Sequence, residues 1–194
     1  MKLLDCLPEK EKKSMPVKKF GRGEILFHED EVCKGIGILI SGRVKIVSYS
    51  FSGGEIVYKR LSEGEMFGAN LVFSSEKRYR GSVVGESSGS LLYIGKEDLV
   101  RLMQTNRDFL LRFLEMQSDF GKELNLQNKI LAFNSADERL AYYLHANEER
   151  IEIESIAALA RKLGLERETL SRLIHAWQKE GKITFFDGAI QSVR

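Results

Sequence analysis

Residues 159–174 have the sequence Leu159-Ala-Arg-Lys-Leu-Gly-Leu-Glu-Arg-Glu-Thr-Leu-Ser-Arg-Leu-Ile174. Apolar residues recur at helical spacing from Ile156 up to Gly164, and again beyond it. Ser155 is a typical N-cap for the first helix, and a glycine at position 164 favours a turn. The stretch therefore predicts two helices joined by a tight turn, the second running from about Arg167 to Glu180.

The second of these helices is predicted to have an apolar face and a polar face. At 100° per residue, Leu170, Leu173, Ile174 and Trp177 cluster within about 100° of arc. The opposite side carries Arg167, Glu168, Ser171, Arg172 and His175. Arginine can bind guanine through two parallel hydrogen bonds, and glutamate can accept one from the cytosine amino group. This helix thus has the chemistry to read G·C pairs from a major groove.

The residues after this helix predict a β-hairpin. Lys182–Phe186 and Ala189–Val193 flank Asp187-Gly188, which is a favoured hairpin turn. We interpret the hairpin as the wing of a winged helix-turn-helix domain. Lys182 is a candidate contact to DNA phosphate.

The segment from Val17 to Ile94 predicts an antiparallel sandwich or barrel, because short apolar runs are broken at regular intervals by glycine. Two hairpins are expected within it. One joins Ile36–Ile40 to Val44–Val47 through Ser41-Gly42, and the other joins Val47–Tyr49 to Ile56–Tyr58.

A helical period follows Ile94, with an interruption near Thr105-Asn106, and continues to about Leu131. Its apolar seam alternates steps of three and four, as in a coiled coil, and comprises Leu110, Phe113, Gln117, Phe120, Leu124, Gln127 and Leu131. We predict that this helix forms a homodimer; the alternative is that the seam packs only on its own β-domain. Ser135-Ala-Asp-Glu138 is a capping box that starts the next helix.

These features predict an α+β chain of three parts. Residues 1–105 form a β-barrel sensor domain, 106–134 a dimerisation helix, and 135–194 a winged helix-turn-helix domain. No apolar run reaches the roughly 18 residues of a membrane span, and the charged N-terminal residues exclude a signal peptide, so we expect a cytoplasmic protein without membrane contact. The net charge of +2 does not by itself indicate DNA binding.

Residues 159–174 resemble the helix-turn-helix signature of the Crp/Fnr superfamily. Three upstream segments are similar to its cyclic-nucleotide-binding type double-stranded β-helix: Gly23-Glu-Ile-Leu-Phe-His-Glu29, Ile40-Ser-Gly-Arg-Val44 and Leu61-Ser-Glu-Gly-Glu-Met-Phe-Gly68. The resemblance implies a transcription regulator, for instance an activator, that binds a palindromic double-stranded DNA site as a dimer, with RNA polymerase as a further partner. It implies base contacts by Arg167, Glu168, Ser171 and Arg172. Backbone contacts are expected from Ser155, Thr169, His175 and Lys182.

The chain departs from the family at two places. Glu166 stands where the family usually has a Ser or Thr cap before the arginine. In the effector site, the ribose-binding Glu after the Phe-x-Gly turn is absent, and Tyr79-Arg80 replaces the Arg-Ser or Arg-Thr phosphate pair. Cyclic AMP is therefore not the expected effector, whose identity stays open. The candidate effector-pocket residues are Gly68, Ala69, Asn70, Arg78 and Arg80.

No cofactor is predicted. An iron–sulfur cluster needs about four thiolates, whereas the chain has only Cys6 and Cys33, for which a redox role stays open. His28 is the only histidine of the β-domain, which argues against both a haem and the metal site of a cupin-type enzyme. The remaining alternative is a cyclic-nucleotide-type sensor module that acts on a protein partner. Such a module needs an intact nucleotide site and no recognition helix.

Overall fold

The structure, a computed structural model, describes residues 2–147 and 150–193. The chain divides into two compact units, the first ending at Ser118 and the second beginning at Asp119. This division falls inside the predicted helix region 106–134, so the three-part organisation stays a prediction. Its outer ends, at Met1 and Arg194, lie outside the described residues.

The first unit contains two antiparallel four-stranded sheets, with strand orders β1-β8-β3-β6 and β2-β7-β4-β5. The strands are β1 (Val17–Phe20), β2 (Ile25–Phe27), β3 (Gly35–Ser41), β4 (Val44–Tyr49), β5 (Glu55–Leu61), β6 (Met66–Phe67), β7 (Ser82–Gly85) and β8 (Gly89–Gly95). The predicted antiparallel β-domain is confirmed, but its closure into a barrel is wrong. Closure needs a continuous ring of hydrogen-bonded strands, and the two-residue β6 ends its sheet without a further partner among the described strands.

One of the two predicted hairpins is confirmed and the other is wrong. Strands β4 and β5 pair directly, with Val47 opposite Val57. Strands β3 and β4 instead lie in different sheets, because the chain crosses between them at Gly42. Gly42 has a φ of +79°, and an added β-carbon would lie 2.5 Å from the carbonyl oxygen of Ser88. The turn therefore redirects the chain instead of closing a two-stranded ribbon.

Three helical segments complete the first unit ahead of the long helix. They are a 3₁₀ helix (Leu3–Cys6), α1 (Glu9–Ser14) and α2 (Lys96–Thr105). The long helix α3 (Arg107–Ala132) begins just after Asn106, whose Oδ1 accepts a hydrogen bond from the Phe109 backbone at 3.0 Å. The interruption predicted near Thr105-Asn106 is confirmed, and the asparagine cap is its physical cause.

The second unit is built around a helical core with a small sheet. Beyond the C-terminal part of α3 it contains α4 (Ala136–Ala146), β9 (Arg150–Glu152), α5 (Ile156–Leu163), α6 (Arg167–Lys179), β10 (Ile183–Phe186) and β11 (Ala189–Ser192). The sheet order is β10-β11-β9. The predicted capping box is confirmed: Ser135 Oγ accepts from the Glu138 backbone at 3.1 Å, and Glu138 accepts in return from the Ser135 backbone at 3.3 Å. Leu140, Leu163 and Leu170 are fully buried.

No helix within residues 2–147 and 150–193 combines the length and the apolar character needed to cross a membrane.

Close packing between β3 and β6 yields a test of the fold. An alanine β-carbon at Gly37 would enter the ring of Phe67, its cross-strand partner. We expect Gly37→Ala to lower the free energy of unfolding by roughly 1–3 kcal/mol, as overpacking does. The matched control is Gly21→Ala, whose β-carbon would lie 3.8 Å from the nearest atom, an ordinary van der Waals contact. Denaturant unfolding of both variants compares the two positions, and equal stabilities would contradict the observed packing.

Candidate nucleic-acid interface and effector site

Helices α5 and α6 are joined by a turn that both caps the first helix and fixes the start of the second. Ser155 Oγ accepts a hydrogen bond from the Ala158 backbone at 3.0 Å. Helix α5 ends at Leu163 and is capped by Gly164, which adopts a left-handed conformation with φ of +61°. The Leu165 backbone then donates to the Ala160 carbonyl at 2.9 Å, as in a glycine-terminated helix end.

Helix α6 separates its residues into a packed face and an exposed face. Leu170 and Ile174 are buried in the core of the second unit, with Leu173 and Trp177 packed against that core. The predicted base-contact residues Arg167, Glu168, Ser171 and Arg172 are all exposed, as is His175. The structure therefore brings the predicted polar residues together on one uncovered side of α6, which we call the polar arc.

The departure at Glu166 has a local structural consequence. Glu166 is the N-cap of α6, and its side chain makes no capping hydrogen bond to the first turn. Since a Ser or Thr in this position would accept such a bond, the first turn keeps backbone N–H groups without a side-chain acceptor from the cap.

The residues predicted to contact DNA phosphates differ in their exposure and in the partners they already have. Thr169 is half-buried at the start of α6, and the Ser155 hydroxyl already accepts the capping bond described above. The Lys182 ammonium pairs with Glu180 at 2.7 Å and lies 5.5 Å from the centroid of the Trp177 ring. The hydrogen bond to Glu180 raises the pKa of Lys182. Lys182 therefore contacts the Trp177 side of α6 and not the polar arc.

The candidate effector residues are distributed between surface and interior. Gly68 is buried with φ of +83°, whereas Asn70, Arg78 and Arg80 are exposed. The guanidinium of Arg78 is held by the Asp30 carbonyl at 2.7 Å. The structure does not gather these arginines into the interior with Gly68.

Tyr79 occupies the interior position between the two arginines. It is 4% exposed, and its ring centroid lies 5.2 Å from that of Phe27. A β-carbon added at Gly68 would lie 3.5 Å from the Tyr79 hydroxyl and 3.2 Å from the Cys33 sulfur. The hydroxyl is buried without a hydrogen-bond partner among the described residues, and burial strongly raises its pKa. Tyr79 was expected only as a mismatch to the phosphate-binding pair. Its aromatic side chain between two arginines was the sequence signal for an inward-facing position.

The predicted seam of α3 is rearranged at one position. Phe113 is 4% exposed and packs in the core of the first unit, where its ring lies 6.4 Å from that of Phe73. Leu114, which the seam did not include, is 49% exposed, and Leu124 and Leu131 are 43% and 41% exposed. Among the remaining predicted members, Leu110, Gln117 and Phe120 are half-buried and Gln127 is exposed. If Leu114 replaces Phe113 in the seam, the apolar positions still alternate between steps of three and four residues.

The sequence of this chain is similar to those of known regulatory proteins. The sequence profile of the cyclic nucleotide-binding domain matches residues 17–106. The cyclic AMP receptor protein of Thermus thermophilus is 25% identical over 179 residues, covering 89% of this chain and 81% of that protein. The regulatory protein HlyX of Actinobacillus pleuropneumoniae is 26% identical over 197 residues, covering 93% of this chain and 77% of that protein.

Solved structures are similar as well. A transcriptional regulator from Thermotoga maritima superposes with a TM-score of 0.60 at 27% identity, covering 64% of this chain and 96% of that chain. A mutant of CooA from Carboxydothermus hydrogenoformans superposes with a TM-score of 0.71 at 19% identity, covering 99% of this chain and 91% of that chain. Residues 17–106 thus match the cyclic nucleotide-binding domain, and most of the chain is similar to known regulatory proteins.

Proposed function

We propose that this protein is a sequence-specific DNA-binding transcription regulator that binds a palindromic operator as a homodimer. The observation that carries the proposal is the polar arc of α6, which stays exposed while Leu170 and Ile174 anchor the helix from behind. A recognition helix needs this division, because one face must hold it rigidly while the other enters the major groove. Arg167 and Arg172 supply the guanine-binding groups, and Glu168 supplies an acceptor for cytosine.

A second copy of the chain is the proposed partner of α3. Leu114 and Leu124 are exposed, and they are ten residues apart on one side of the helix. Dimers of this kind present two recognition helices to half-sites about 34 Å apart, one turn of DNA. RNA polymerase is the further partner expected of such a regulator, as its relatives act on transcription.

The effector of the β-domain is proposed not to be cyclic AMP. A cyclic phosphate needs a cation or several donors inside the site, but the interior position is taken by Tyr79 among aromatic side chains, and Arg78 and Arg80 are exposed. The residue after Gly68 is an alanine, which cannot accept a ribose hydroxyl. We expect titration calorimetry with cyclic AMP to show no binding.

Two other classes of function fit less well. A sensor module that acts only on a protein partner leaves the polar arc of α6 without a purpose. A metal-dependent enzyme needs clustered ligands, and no group of three or more His, Cys, Asp or Glu suited to a metal ion occurs among the residues that the structure describes. The regulator relatives favour the DNA-binding function over both.

Binding selection from a random DNA pool tests the division of labour within α6. Arg172→Ala should cost about 1–3 kcal/mol in binding and relax the preference at one base position, because it removes a bidentate base contact. Thr169→Ala serves as the comparison, since loss of a phosphate contact should weaken binding to all sequences alike. If both variants lose the same affinity on every sequence, Arg172 does not read a base.

The state of assembly tests the role of α3. Leu114→Glu places a charge in the proposed dimer seam, so we expect sedimentation to show a shift from dimer to monomer and a loss of binding to palindromic DNA. Asp119→Lys is the control, because Asp119 lies on the opposite side of the helix at 100° per residue. A dimer that persists in Leu114→Glu would exclude this surface as the interface.

The buried hydroxyl of Tyr79 gives a test of the filled interior. Tyr79→Phe removes a hydroxyl for which the described residues provide no hydrogen-bond partner within normal geometry, so we expect the free energy of unfolding to be unchanged or raised by up to about 1 kcal/mol. Tyr58→Phe, at a 61% exposed tyrosine, should leave the thermal midpoint unchanged. A clear loss of stability in Tyr79→Phe would show that its hydroxyl contributes a hydrogen bond in solution.

A further inference from the structure

One guanidinium in the second unit binds the ends of two helices. Arg139 Nε donates to the Phe133 carbonyl at 2.9 Å, and Nη2 donates to the Leu131 carbonyl at 3.4 Å, both at the C-terminal end of α3. Its Nη1 donates to the carbonyls of Leu163 and Gly164 at 3.1 and 3.0 Å, at the end of α5. The last carbonyls of a helix lack partners within it and form the negative end of its dipole. A single cation therefore donates hydrogen bonds to carbonyls at both helix ends.

The position of Arg139 in its own helix supports this interpretation. It is the fourth residue of α4, which begins at Ala136, and a cation near a helix N-terminus is electrostatically disfavoured. Among the ion pairs of residues 2–147 and 150–193, none involves Arg139. Its hydrogen bonds to the carbonyls of α3 and α5 are thus the interactions that offset the unfavourable position.

A second contact joins the same two elements independently. A β-carbon added at Gly164 would lie 2.5 Å from Cδ2 of Leu131 and 3.1 Å from Nη1 of Arg139. The side chain of Leu131, near the end of α3, therefore lies beside the turn that precedes α6. An apolar contact accompanies the hydrogen bonds of Arg139 between α3 and this turn.

We propose that Arg139 is the positioning residue that sets the orientation of α6 relative to α3, and so the spacing of DNA half-sites that the dimer accepts. This inference rests on the proposed function, because α3 is taken as the dimerisation helix and α6 as the recognition helix. Arg139 does not contact DNA in this arrangement. It acts through the turn at Gly164, and only a forked donor can reach both helix ends at once.

Spin-label distances test this positioning without DNA. Labels at Lys122→Cys in α3 and Lys179→Cys in α6, introduced in a Cys6→Ser, Cys33→Ala background, report the distance between the two helices. Mixing the labelled protein with an excess of unlabelled protein suppresses the distances between labels on two different copies of the chain. We expect a narrow distance distribution with Arg139 present and a broad one for both Arg139→Gln and Arg139→Lys. The matched control is Arg107→Gln, which removes an exposed arginine from the first residue of α3.

DNA binding supplies the readout that a purely stabilising role would not change. We expect Arg139→Gln to bind the preferred palindrome about tenfold more weakly and to accept half-site spacings that the unmodified protein rejects. A variant that is merely less stable would lose binding equally at every spacing. Unchanged spacing preference would overturn the proposal.

The label experiment separates this inference from the proposed function. A narrow distance distribution in Arg139→Gln would overturn the positioning role, because α6 would then be held in place without the guanidinium. A narrow distribution in Arg139→Lys would also overturn it, because a positive charge without the forked donor would then be enough. If the unmodified protein shows no sequence preference on DNA, the proposed function fails. The label distances would still decide whether Arg139 fixes α6 against α3.

Discussion

The arrangement of helices α5 and α6 depends on the left-handed turn at Gly164. The chain turns there with a positive φ, and the end of α3 packs against the space that any side chain would fill. Because α5 ends and α6 begins within this turn, its conformation fixes how the polar arc is presented. The proposed DNA contacts therefore depend on this turn as well as on the side chains that make them.

Much of this unit could be predicted from sequence because its signals are local. The Ser155 cap, the glycine turn and the helical spacing of Leu170 and Ile174 each predict one feature, and all are present. The capping box at Ser135 likewise begins α4 where the pattern indicated. Local chemistry therefore sufficed where an element is defined by residues within one or two turns of each other.

The predictions from sequence were wrong where contacts between residues distant in the sequence determine the structure. Gly42 was a sound turn signal, but which sheet the next strand joins depends on its contact with Ser88 and Gly89, far along the chain. Phe113 and Leu114 are both apolar neighbours on α3, and only the position of Phe73 shows which of them is covered. Arg139 went unnoticed for the same reason, because its partners at Leu163 and Gly164 are distant in sequence. A cation in the first turns of a helix was the one local sign.

The near-neutral charge of the second unit bears on how specificity would arise. From Asp119 onward the sequence contains eleven Lys or Arg and twelve Asp or Glu, so we expect non-specific attraction to phosphates, which scales with the number of neutralised charges, to be weak. The acidic residue at Glu166 would add repulsion at the start of the proposed recognition helix. In the proposed dimer, affinity for DNA would then come from contacts that form only on the right sequence, and these require both recognition helices to be held in register. In a strongly basic protein, additional phosphate contacts can compensate for the affinity lost when a recognition helix is misplaced. A protein with little non-specific attraction to DNA lacks those contacts, so its affinity depends more strongly on rigid positioning of α6.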